Sequence, residues 1–128
     1  MLAKRAFRPR NENSHRSDEW KRCEPYLKWL RGRSCFLAVH APGQHTCSGK
    51  VRACHFDPWG DKGVGTKVSD FAAFPMCDGG HEEQHRIGWQ SFQRKYGLDG
   101  RDVVTAYSLE WTEGTPMGVA WVRRQEAA

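Results

Sequence analysis

The chain has 128 residues, 38% of them hydrophobic and 27% charged. That length supports one modest domain and is too short for two with separate cores. No run approaches the roughly 18 consecutive apolar residues of a membrane span, and the start lacks the apolar block of a secretory signal, so a cytoplasmic protein without a membrane segment is expected.

The net charge of +5 is unevenly spread: residues 1–34 hold ten Lys or Arg and four acids, +6 in all, leaving −1 for the rest. Residues 1–16 lack apolar periodicity and read as a basic, disordered arm. Arg5, Arg8 and Arg10 within it suit a polyanion such as DNA, because lysine and arginine release counterions when they meet phosphates. A charged tail that only keeps the chain soluble, or an organelle transit peptide, would have a similar composition.

From Pro25 the residues predict a short helix, with Tyr26, Leu27, Trp29 and Leu30 as its apolar stripe and Gly32 as its end. Residues 34–58 alternate apolar pieces, Cys35 to Val39 and Val51 to Phe56, with turn-rich segments. That pattern predicts short antiparallel strands joined by loops. A glycine-rich loop follows over 57–70, and Phe71 to Met76 is a further strand. A helix is expected again near His81, where Trp89, Phe92 and Tyr96 share a face and Gly97 terminates it. Another from about Asp102 carries Val103, Val104, Tyr107 and Trp111 and is broken at Gly114-Thr115-Pro116. These elements place one domain over 17–114 and a C-terminal tail over 115–128.

The five cysteines, an odd count without a secretory signal, predict reduced thiols, some of them metal ligands. Cys23 reads as a buried bystander. His81 and His85, at i and i+4, lie one helical turn apart and can share a cation. On their own they could equally be two solvated histidines, since Glu82, Glu83 and Gln84 between them are all polar. A histidine ending a strand at His55, and a glycine-rich loop with Lys67, add weight to the metal-binding alternative.

Taken in order, Cys54-His55, Asp70 and His81-x-x-x-His85 resemble the HNH, or His-metal finger, nucleases. Gly63 to Asp70, Phe74-Pro75-Met76-Cys77, and Phe92-x-x-Lys95-Tyr96-Gly97 are similar, more narrowly, to a phage-encoded branch that groups with the Ref recombination nuclease. The resemblance spans roughly residues 26–100. It implies an α+β fold with a small ββα-metal core and flanking helices. It implies, too, an endonuclease that hydrolyses DNA phosphodiester bonds in phage or prophage recombination or processing. His55 would be the general base, since an imidazole can take a proton from water near pH 7. His81 and His85 would hold Mg²⁺, Mn²⁺ or Zn²⁺, with Cys54 in a third ligand position. Asp70 stands where the family usually has Asn and would fix the His55 tautomer. Lys62 and Lys67 of the glycine-rich loop would hold the DNA backbone. Cutting both strands would call for two copies, hence a dimer.

The chain departs from the family pattern in its cysteines. A thiolate at Cys54 suits Zn²⁺ better than Mg²⁺, and a buried thiol explains the residue as well. A structural zinc site in such proteins commonly uses two Cys-x-x-Cys pairs. Here Cys35, Cys47 and Cys77 remain, with Gly80 where a fourth ligand would stand. Either His40 or His45 completes a rearranged site, or that zinc has been lost. Two other signatures compete. His81-Glu82-Glu83-Gln84-His85 satisfies the H-E-x-x-H pattern of zinc proteases, although Gly79-Gly80 leaves little helix ahead of it. A zinc-deaminase pattern fails, because His55-Phe56-Asp57 lacks the Glu and Cys77 has no second Cys at Gly80. A zinc-stabilised DNA-binding module without catalysis is the main alternative to the nuclease, and His55 is the residue such a module would not need.

Overall fold

A computed structural model describes residues 22–59 and 68–127. Its elements are α1 (Glu24–Arg31), α2 (Phe36–His40), β1 (Val51–His55), β2 (Ala73–Cys77), α3 (Asp78–Tyr96), α4 (Gly100–Gly114) and α5 (Pro116–Ala127). Short 3₁₀ turns cover Asp57–Trp59 and Asp70–Ala72. Arg5, Arg8 and Arg10 of the arm, and Lys62 and Lys67 of the glycine-rich loop, lie outside the described residues. No helix among the described residues is long and apolar enough to cross a membrane.

The two strands form one antiparallel ladder, from Val51 opposite Cys77 to His55 opposite Ala73. Side chains alternate across a strand, so the hairpin serves as a middle layer between two cores. Cys54, Phe74 and Met76 enter the first core with Leu37, Phe92, Tyr96 and Val104. Ala73, with Ala53 beside it, belongs to the second, built from Tyr26, Leu30, Phe71, Trp111 and Trp121. The Tyr26 hydroxyl donates to the Ala73 carbonyl at 3.1 Å, which ties α1 to the edge of β2.

The ββα order is therefore present as two strands followed directly by a helix. At its start, α3 is fastened to the hairpin by Asp78, which accepts from the Lys50 amide at 3.0 Å and pairs with Arg52 at 2.8 Å. Halfway along, Trp89 meets the Phe56 ring edge-on at 5.0 Å. The helix thus runs back along the hairpin, from the Val51 end to the His55 end. It bends at Gly88, whose φ of 84° only glycine adopts freely, and stops at Gly97 in the left-handed conformation.

Two elements depart from the expectation. Cys35 to Val39, read as a strand, lies mostly in the single-turn helix α2, with Leu37 buried and Val39 exposed. Residues 115–128, read as a tail, contain α5, which packs on α4 and buries Trp121. Gly118 makes that packing close enough that a methyl group there would collide with the Trp111 carbonyl.

Candidate functional site

His55 stands at the last position of β1, its imidazole 33% exposed, with Nε2 3.0 Å from Asp70 Oδ1. Asp70 is buried, and its other oxygen accepts the Cys23 amide at 2.7 Å. Its carboxylate thus bridges the N-terminus of α1 and the imidazole. An ionised carboxylate only accepts hydrogen bonds, so Nε2 must carry the proton. In the neutral ring Nδ1 is then left with a free lone pair. The expected pairing of His55 with Asp70 is present. The sequence held no signal for the Cys23 amide, which lies 47 residues away from Asp70.

The imidazole faces a cleft of about 600 Å³ lined also by Arg22, Glu24, Leu27 and Asp57. Arg22, Glu24, Leu27 and Asp57 are residues of this cleft to which the sequence assigned no site role. Asp57 opens the 3₁₀ turn just past His55. A charged residue two positions beyond a strand-ending histidine is a local signal that could have found it.

His81 and His85 occupy the first half of α3 with their Nε2 atoms 3.0 Å apart. A tetrahedral cation about 2.0–2.1 Å from two imidazole nitrogens separates them by about 3.3 Å, so the pair fits one metal with a small side-chain adjustment. Burial, and then the neighbouring His85, lower the His81 imidazole from its ordinary value and favour the neutral ring that a metal needs. Asp57 acts on His81 in the opposite direction, so its carboxylate lies within electrostatic reach of that imidazole. No hydrogen bond joins His81 or His85 to His55 among the described residues; Asp57 is the group common to both surroundings.

Cys54 does not join the pair. It is buried in the first core beside Phe74, and burial pushes its thiol far above the ordinary range. Adjacent strand residues point to opposite faces, so a chain that aims His55 into the cleft turns Cys54 inward.

A second gathering of ligand atoms lies at the opposite end of the hairpin. Cys35, His45, Cys47 and Cys77 bring one donor atom each to within 4.8 Å of one another. Cys35 precedes α2, His45 and Cys47 come from the loop after it, and Cys77 is the N-cap of α3. His45 Nε2 is 3.1 Å from Cys77 Sγ. His40 instead bonds the Tyr96 carbonyl at 2.9 Å, so His45 is the histidine of the set. Burial alone would raise the Cys77 thiol. Hydrogen bonds from His45 and from the Gly80 and Ser48 amides outweigh it and bring the group down to about 6. Such a thiol is a thiolate at neutral pH, the form that ligates metal. Three sulfurs and one imidazole in this spacing suit a metal such as zinc, whose ligand atoms stand about 3.6–3.8 Å apart in a tetrahedral site.

No protein-family model, curated protein or solved structure matches the chain.

Proposed function

We propose that the chain is a metal-dependent HNH-type endonuclease that hydrolyses DNA phosphodiester bonds. The observation that carries this reading is the hydrogen bond between His55 and Asp70 at the end of β1, ahead of a helix that bears two converging histidines. His55 Nδ1 takes a proton from a water molecule, the water oxygen attacks the phosphorus, and the bond to the 3′ oxygen breaks. Asp70 keeps the tautomer that leaves Nδ1 free and stabilises the imidazolium that results. His81 and His85 would hold a divalent cation, which would supply charge stabilisation to the scissile phosphate and to the departing oxygen.

The Cys35, His45, Cys47 and Cys77 set is proposed as a structural zinc site. All four coordination positions are filled by protein atoms, which closes it to substrate. Cys77 lies four residues before His81, so the zinc would anchor the end of α3 from which the histidine pair projects.

His81→Ala and His85→Ala are expected to lose cation-dependent nicking of supercoiled plasmid, while Glu82→Gln keeps it. Glu82 is exposed on α3 and has no part in this chemistry. Loss of nicking in Glu82→Gln would instead give Glu82 a part in the chemistry.

A further inference from the structure

We infer that Arg22 is the residue that holds the substrate phosphate against His55, an assignment that rests on the nuclease reading above. Arg22 directly precedes Cys23, whose amide is bonded to Asp70 at 2.7 Å, and Asp70 in turn lies 3.0 Å from the imidazole. The backbone at Arg22 is therefore fixed to the same carboxylate that orients the base. The long side chain starts from an anchored point at the rim of the cleft.

The charges around that rim select Arg22. Among the described residues that line the cleft, it is the one lysine or arginine. Glu24, also at the rim, is paired with Arg31. Both oxygens of Asp70 are engaged by Cys23 and His55. Asp57, the remaining acid, opens the 3₁₀ turn after His55 and acts electrostatically on His81 as well. Arg22 and His55 are thus the groups left to meet an anion. A guanidinium can present two parallel N–H donors to phosphate oxygens, which fixes orientation as well as charge. Residues 1–21, which precede Arg22 in the sequence, hold six Lys or Arg against three acids.

The test uses the full chain with His55→Ala, so that DNA is bound without being cut. Its affinity for a short fluorescent duplex is measured by anisotropy over a range of salt concentrations, alone and combined with Arg22→Gln or Arg22→Lys. Arg22 is exposed, so both substitutions spare the cores, and an unchanged thermal midpoint confirms this. The expected result is that Arg22→Gln weakens binding about tenfold and reduces the slope of log affinity against log salt by about one. Arg22→Lys should keep the slope, because the charge is kept. If Arg22→Gln leaves affinity and slope unchanged while the parent binds DNA, the assignment of Arg22 is overturned and the nuclease reading stands. If the parent fails to bind DNA and the wild-type chain fails to cut it, both are overturned.

Discussion

Removing metal from the Cys35, His45, Cys47 and Cys77 set is expected to lower the thermal midpoint by about 10 °C or more and to abolish DNA cleavage. Besides the metal, the segment that carries three of these donors is held by Leu37 and Ala41 in the first core and by the bond of His40 to the Tyr96 carbonyl. Between α2 and β1, Pro42 and His45 form an isolated bridge, and Gly43 and Gly49 take left-handed conformations. Leu37 is the buried side chain of α2. Structural zinc in small domains is worth several kcal/mol of folding free energy or more. About 3 kcal/mol at this chain length corresponds to about 10 °C. The two hydrophobic cores lie mostly outside the segment, so the metal-free chain should retain most of its helix while α2 and the following loop open. Cys77→Ser should reproduce the loss, because a serine hydroxyl can still accept from the Gly80 amide at the start of α3 but does not replace a thiolate on zinc. Far-ultraviolet circular dichroism and differential scanning calorimetry, with chelator and after zinc is restored, measure both. A chain whose midpoint is indifferent to chelator and to Cys77→Ser would remove the structural site from the account.

The second large effect concerns Asp70. Asp70→Ala should reduce the cleavage rate by about 10²- to 10⁴-fold, the range attributed to general base catalysis, and lower stability by about 1–3 kcal/mol. The stability cost follows from the Cys23 amide, which is buried and would lose its acceptor. The rate cost follows from His55, whose ring would be free to carry its proton on Nδ1. Asp70→Asn separates the two. Its one carbonyl oxygen can accept from the Cys23 amide or from His55 Nε2 but not from both. With that oxygen on the buried amide, the variant should recover most of the stability and little of the rate. Urea unfolding and cleavage kinetics on the three proteins decide the matter. A rate that follows stability through the series would make Asp70 a structural residue only.

Much of this arrangement is readable from the sequence because it depends on local spacing. Pro25 in the first turn of α1, Gly97 at the end of α3, and the i, i+4 step from His81 to His85 each act within one or two turns of chain. The β1 strand and its terminal histidine are also legible, since apolar and β-branched residues there are bounded by turns. The identity of α2 is not. Cys35-Phe36-Leu37-Ala38-Val39 has the composition of a strand, yet among the described residues no partner strand adjoins it, and the segment coils instead with Cys35 against the Cys77 amide at 3.3 Å. The docking of α5 depends on the fit of Gly118 against Trp111, a contact between helices that no periodicity in 115–128 announces. His45 rather than His40 completes the metal set because His40 is taken by the Tyr96 carbonyl, 56 residues on. Cys54 is the instructive case: the two-residue period of β1 already implies that Cys54 and His55 face apart. A ligand role for Cys54 conflicts with the strand that positions His55.

The most direct test of the central claim is cleavage of supercoiled plasmid by the wild-type chain and by His55→Ala, with Mg²⁺, Mn²⁺ or Zn²⁺ and with EDTA. Nicking by the wild type is expected with at least one of these cations and not with EDTA, together with a loss of at least about 10²-fold in His55→Ala. Absence of cleavage under every cation would contradict the nuclease reading, as would a His55→Ala variant that cuts as fast as the wild type. If the uncut DNA is nevertheless bound, the chain is a zinc-stabilised DNA-binding module.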